Sequence, residues 1–329
     1  MGGRNNYVRL RRWCSTLTRR VVAGGTRREN AGQGIRSRAG EGAIERTGTQ
    51  KRQSREVLQC CEIRPASGWP SLELTEVWRH LELIYLLIVR DTKVRYKQSL
   101  VGIGWALLQP LLTVVVFTVL FDHLVKVPTE GVPYPIFALT ALVPWTYFIH
   151  ALTKTTVCLV TNTALITRVY FPRLVLPISA VLAGLVDFVI SFGLLLIMLV
   201  VYGIRPTATV VVLPFFLLLG ILAAFSCGLW LSALNVQYRD VVNALPFFTQ
   251  MMFLVTPVAY SNQLIPAEWR YLYALNPMAS VVTGFRWVLL GNAPAPGLPC
   301  LVSVAVVLAA LVGGLYFFRY QEERFADAV

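Results

Sequence analysis

What this 329-residue chain lacks is charge, over distances that matter. No charged residue falls between Arg205 and Arg239, and none between Arg286 and Arg319. Each gap exceeds the roughly 20 residues that carry a helix across a hydrocarbon core of about 30 Å. Charged residues make up 14% of the chain against 56% hydrophobic, and the mean hydropathy is +0.60. These values exclude an ordinary water-soluble domain and indicate a multi-span membrane protein. Histidine is nearly absent: His80, His123 and His150 stand far apart and offer no metal-ligand spacing. The six cysteines form no framework; Cys14, Cys60 and Cys61 sit in a polar segment, and Cys158, Cys227 and Cys300 are scattered in apolar stretches, where Cys acts as a small hydrophobe. Gly-Lys-[Ser/Thr] is missing too, because Lys51, Lys93, Lys97, Lys126 and Lys154 all follow residues other than glycine. The chain therefore has no Walker A loop, and ATP-driven work would need a separate polypeptide.

The net charge of +13 is unevenly placed. Residues 1–70 hold 15 of the 30 Lys and Arg and 5 of the 17 Asp and Glu. This Gly-, Arg- and Ser-rich segment shows no periodic apolar face, so it is expected to be a disordered basic extension. Its arginines precede no apolar h-region, which excludes a secretory signal. The expectation is that it reflects an upstream start site rather than a native domain. The charge signals attraction to anionic headgroups rather than to nucleic acid.

Residues 71–99 are expected to form an amphipathic interfacial helix and a basic junction. Leu72, Leu74, Val77, Trp78, Leu81, Ile84, Tyr85 and Ile88 recur at helical spacing, with Glu73, Glu76, Arg79, Glu82 and Arg90 between them. Six transmembrane helices follow within 100–320, at about 100–124, 135–157, 176–202, 209–234, 243–261 and 298–318, and 321–329 is a short cytoplasmic tail. Between spans five and six lie amphipathic pieces at 267–275 and 278–290, divided by Asn276-Pro277, which reads as a re-entrant helical hairpin. The fold class is thus an all-α membrane protein. Eleven Lys and Arg on one side against four on the other put both termini in the cytoplasm.

Four constellations stand out. The first is the run Arg90-Asp91-Thr92-Lys93-Val94-Arg95-Tyr96-Lys97-Gln98-Ser99, leading to Gly102, Gly104, Trp105 and Gln109-Pro110. The second is an inner loop from Asn162 through Thr167-Arg168-Val169-Tyr170-Phe171-Pro172-Arg173 to Pro177. The third is Tyr238-Arg239-Asp240 after the fourth span. The fourth is Asn276-Pro277 with Arg286 in the outer hairpin.

Together, and in this order, these pieces resemble the permease subunit of bacterial ABC-2 type exporters that move polysaccharide, O-antigen or teichoic acid chains. The resemblance covers about residues 72–320. It implies a half-transporter of the bacterial inner membrane: a homodimer of permeases, driven by a separate ABC ATPase that holds ATP and Mg, carrying a lipid-linked polysaccharide. No cofactor is expected in this chain. Asn162, Arg168, Tyr170, Phe171, Pro172 and Arg173 would form the coupling element that meets the ATPase. Arg90, Lys93, Arg95, Lys97, Tyr238, Arg239 and Asp240 would line the cytoplasmic entrance, where guanidinium and ammonium groups meet the phosphates of a lipid carrier. Local anchoring, with Arg239 and Asp240 as a pair, is the alternative. Trp105, Trp145, Tyr147, Phe148 and Tyr260 would stack on sugar rings in the channel, with belt or core packing as the alternative.

Asp187 lies mid-way along the third span, where a lone carboxylate is costly. It carries the competing reading, a proton-coupled secondary transporter. A membrane-embedded glycosyltransferase is the third class, and it finds only the isolated Glu130 and Glu268 on the outer side.

Overall fold

The computed structural model describes residues 74–97, 104–129, 131–205, 208–291 and 295–328. The basic extension, with Cys14, Cys60 and Cys61, lies outside them, as do Gln98, Ser99 and Gly102 of the basic junction and the isolated Glu130. Among the described residues every regular element is helical.

The amphipathic segment forms α1 (Leu74–Arg79) and α2 (Leu81–Lys97), broken at His80, whose Nδ1 lies 2.8 Å from the Glu76 carbonyl oxygen. The first span is α3 (Gly104–Phe117), prolonged by a π-helical turn at Thr118–Leu124. Then come α4 (Tyr134–Thr161), the short α5 (Thr163–Arg168), α6 (Val175–Val201) and α7 (Leu213–Gln237). Next are α8 (Asp240–Val255), the one-turn α9 (Arg270–Tyr273), α10 (Pro277–Leu290) and α11 (Gly297–Ala328). Among the described residues, five stretches are long and apolar enough to cross a membrane: Gly104–Leu124, Tyr134–Thr161, Val175–Val201, Ala208–Gln237 and Gly297–Glu322.

Three boundaries differ from the sequence expectation. The helix expected over 243–261 ends at Val255 because Thr256 precedes Pro257 and adopts an extended conformation (φ −82°, ψ 133°). Residues 267–275 are not one amphipathic helix; a 3-10 turn at Ala267–Trp269 passes into α9. The last helix does not stop near residue 318 but continues through the expected tail to Ala328.

α4 is the hub, packing against α3, α6, α7 and α10. Its threonines satisfy themselves: Thr140, Thr155 and Thr156 donate to the carbonyls of Ile136, Ala151 and Leu152 at 2.7, 2.7 and 2.8 Å. Such hydroxyls expose no unpaired donor to a neighbouring helix, which allows close approach. The α4–α7 contact is the clearest case. A Cβ added at Gly228 would lie 2.6 Å from Thr155 Cγ2. α7 and α11 run parallel: Trp230 Nε1 donates to Ala310 O at 3.0 Å, and Gln321 Nε2 donates to Gln237 Oε1 at 3.3 Å near their ends.

Candidate functional site

The basic helix α2 packs on α6 and advances along it. Ile84 and Leu87 are buried in a cluster with Leu174, Leu176 and Ala180 near the start of α6. Farther along, Arg95 forms an ion pair with Asp187, and the Tyr96 hydroxyl donates to the same carboxylate. His150 Nδ1 on α4 lies 3.8 Å from Asp187. Between these levels Arg90 pairs with Asp91 at 2.8 Å and donates to Asn162 Oδ1, also at 2.8 Å. A groove edged by charged side chains thus runs between α2, α4 and α6. It contains one cavity of about 460 Å³ beside Arg90 and Asn162 and another of about 420 Å³ beside Trp105 and Asp187. Asp187 is therefore a bound counter-ion, and a proton site built on it as a lone carboxylate finds no support. Lys93 and Lys97 are exposed on α2 and line neither cavity.

The loop after α4 splits into two kinds of residue. Arg168, Val169 and Tyr170 are exposed, Tyr170 at 87%. Phe171 and Pro172 are buried. Arg173 is tied to the last helix: its guanidinium donates to the Glu322 carbonyl, and its backbone N–H donates to Glu322 Oε1 at 3.4 Å. Glu322 in turn pairs with Arg319 at 2.9 Å. Asn162 serves the groove rather than the loop, through Arg90.

Tyr238, Arg239 and Asp240 are exposed at the α7–α8 turn, and among the described residues no ion pair joins Arg239 to Asp240. The expected channel aromatics fall into two groups. Trp145, Tyr147 and Phe148 are buried in the subunit core, where Trp145 meets Phe148 and Phe253 and Tyr147 meets Phe188. Burial on this scale favours packing over lining for these three. Trp105 is 53% exposed, and Tyr260 is partly buried with its hydroxyl 3.2 Å from the Leu254 and Val255 carbonyls.

At the start of α10, Asn276 caps the helix through Met278 N at 3.1 Å and donates to Thr256 Oγ1 at 2.8 Å. Pro277 opens the helix. Arg286 is 3% exposed and donates to the carbonyls of Pro257, Val258 and Tyr260 at 2.7–2.9 Å, while its guanidinium lies 3.6 Å from the centre of the Phe137 ring. It fastens the reversal that follows α8 and is no free rim charge.

The profile of the ABC-2 type transporter family matches residues 82–290, from the first turn of α2 to the end of α10. The chain belongs to the ABC-2 type transporter family. It is 29% identical over 257 residues to an O-antigen export system permease protein RfbA of Myxococcus xanthus, covering 77% of this chain and 98% of that protein. It is 27% identical over 248 residues to an RfbA of Klebsiella pneumoniae, covering 75% and 94%. A more distant relative is the polysialic acid transport protein KpsM of Escherichia coli, 24% identical over 243 residues, covering 72% and 92%.

The sequence reading passes over three groove and loop residues. His150 and Lys154 stand four apart on one face of α4, a spacing that places both beside α2. Glu322 lies beyond the last apolar run, and nothing in the sequence links it to Arg173.

Proposed function

We infer that this chain is the membrane-spanning permease subunit of an ABC exporter that moves a lipid-linked polysaccharide of O-antigen or capsule type out of the cytoplasm. The observation that carries the reading is length. The chain aligns with 98% of an O-antigen export permease and 94% of another, so the whole relative is represented rather than a shared fragment. A proton-coupled transporter loses its motive with the Arg95–Asp187 pair.

Helix lengths support a coupling role for the inner loop. α4 and α6 have 28 and 27 residues, about 42 and 40 Å, against a hydrocarbon core of about 30 Å. The surplus would carry α5 and Tyr170 into the cytoplasm, within reach of a separate ATPase that supplies ATP, Mg and the driving force.

The parallel course of α7 and α11 supports six crossings. Two consecutive long helices that run parallel need a return crossing between them. α8, with 16 residues or about 24 Å plus the extended stretch after it, is the candidate. α10 is then non-spanning, since its 14 residues reach about 21 Å, and its burial against α4 and α7 suits a re-entrant hairpin. Arg173 on Glu322 and Gln321 on Gln237 gather the inner loop and the ends of α7 and α11 on one side, which the positive charge assigns to the cytoplasm of a bacterial inner-membrane protein. A homodimer would cover the exposed face of α8, where Asn243 and Gln250 stand among apolar side chains and suit a wet conduit.

Deletion of the gene is expected to remove a surface polysaccharide and to leave polyprenyl-linked polymer inside the cell. An unchanged surface glycan would overturn the reading. Tyr170→Ala is expected to leave ATP hydrolysis by the complex intact while export falls at least about tenfold, the signature of a lost transmitting contact.

A further inference from the structure

The groove between α2, α4 and α6 has an uneven charge balance. Asp91 is matched by Arg90, and Asp187 by Arg95. Lys154 borders both cavities, is exposed, and among the described residues has no hydrogen-bond or ion-pair partner. Its ammonium is therefore the charge left over, at the wall where the two chambers meet. Its depth is informative. Lys154 lies 20 residues beyond Tyr134 on α4, about 30 Å along the helix axis, one hydrocarbon thickness from the outer end. An ammonium at that level lies among phosphate headgroups rather than in acyl chains.

The second chamber has different chemistry. The exposed indole of Trp105 faces a cavity also lined by Gln109, Thr146, Thr153 and Ser191. An apolar ring face beside amide and hydroxyl groups suits a sugar, which is apolar on its ring faces and polar at its rim.

We propose that Lys154 seats a lipid-borne phosphoryl group and that the Trp105 chamber takes the sugar attached to it, so that this groove is the loading site for the head of the lipid-linked glycan. Arg95 holds the wall through Asp187, and the anion itself is taken by Lys154. The proposal rests on the polysaccharide-export reading and adds the position at which the substrate first binds.

The test uses the permease–ATPase complex in phosphatidylcholine nanodiscs. The probes are undecaprenyl diphosphate and undecaprenyl-diphospho-N-acetylglucosamine. Both are expected to bind. Lys154→Ala is expected to weaken both by about tenfold, the loss of one charge-assisted contact, and Lys154→Arg to restore them. Trp105→Ala is expected to weaken only the sugar-bearing probe. An unchanged melting transition for each variant shows that the fold is kept. Binding by Lys154→Ala equal to the wild type overturns the proposal. So does displacement of the probes by equimolar phosphatidylglycerol, which would make the groove an ordinary lipid-headgroup contact. Equal affinity for inorganic pyrophosphate would make it a soluble-anion site and overturns the proposal as well. A complex that exports glycan in cells yet binds neither probe defeats the loading site and leaves the export reading standing, whereas an unchanged glycan in the deletion strain defeats both.

Discussion

α3 and α4 lie against each other and both are apolar enough to cross a bilayer, yet they are buried to opposite extents. Within the most apolar window of each, 78% of α4 is covered by the rest of the subunit, against 11% of the first span. The buried helix is the less apolar of the two. In water the order would be reversed. In lipid an acyl chain is as good a neighbour as leucine, so burial goes to the helix whose surface allows close approach. α4 sets Tyr147 and Ala151 against Gly184, and the self-bonded Thr155 against Gly228. The first span offers Leu112, Val115, Val116 and Val119, all more than half exposed.

The sharpest way to break this contrast is to remove the space that α4 needs. Gly228→Leu on α7 puts four carbons where even a Cβ would meet Thr155 Cγ2 at 2.6 Å. Both positions are backbone-proximal, so no flexible side-chain end can move aside. The expected cost is about 3 kcal/mol or more, at the upper end of overpacking effects. It should appear as loss of the monodisperse peak in gel filtration and a lower melting temperature. Recovery like the wild type would mean that α4 and α7 can separate, and that their burial is incidental.

The second expected effect, in order of size, lies in the first turn of α4, where Phe137 carries the Arg286 guanidinium. Arg286→Met retains bulk but leaves the carbonyls of Pro257, Val258 and Tyr260 without their donor. The loss is expected to be about 2–4 kcal/mol, read as a fall in melting temperature. Arg286→Lys should recover only part of it, because a point-like ammonium lacks the planar fork that reaches three oxygens.

The same contrast explains what could be read from residue order. Long uncharged runs identify helices wherever they face lipid, so α3, α6, α7 and α11 are legible, and the family motifs locate the loops. The end of α8 is not, because hydropathy continues through Pro257 to Tyr260 while the helix stops at Val255. Partner choice is not legible at all. Arg95, Arg173 and Arg286 are expected at an entrance, a coupling element and a hairpin, and only the folded chain gives them partners: an ion pair to Asp187, a tie to Glu322 and a buried clasp on a chain reversal. These pairings join residues far apart in sequence, and no local pattern records them. The aromatic residues are ambiguous for a related reason: Trp145 and Trp105 have the same chemistry, and tertiary packing alone buries one and exposes the other.

A smaller effect is expected from Asp187→Asn, mid-way along α6. The amide keeps its size and can still accept from Tyr96, but Arg95 loses its counter-ion. Partial exposure of both groups limits the cost to about 1–2 kcal/mol. A double-mutant cycle with Arg95→Gln should return a coupling energy of about 1 kcal/mol. Zero coupling would detach α2 from α6 energetically.

The smallest effect is expected on the first span. Val115→Ala removes two methyl groups from a side chain that is 59% exposed and that meets acyl chains. Lipid closes over the vacated volume, so no cavity forms and stability should stay within about 0.5 kcal/mol of the wild type. The same truncation inside α4, Val143→Ala, acts on a fully buried residue and should cost about 1–2 kcal/mol more, because neighbouring helices cannot flow into the space. A Val115 variant as destabilised as the Val143 variant would show that another protein surface, not lipid, covers that face of α3. Melting temperatures measured across a dilution series would then identify the cover, since only a contact between copies weakens as the protein is diluted.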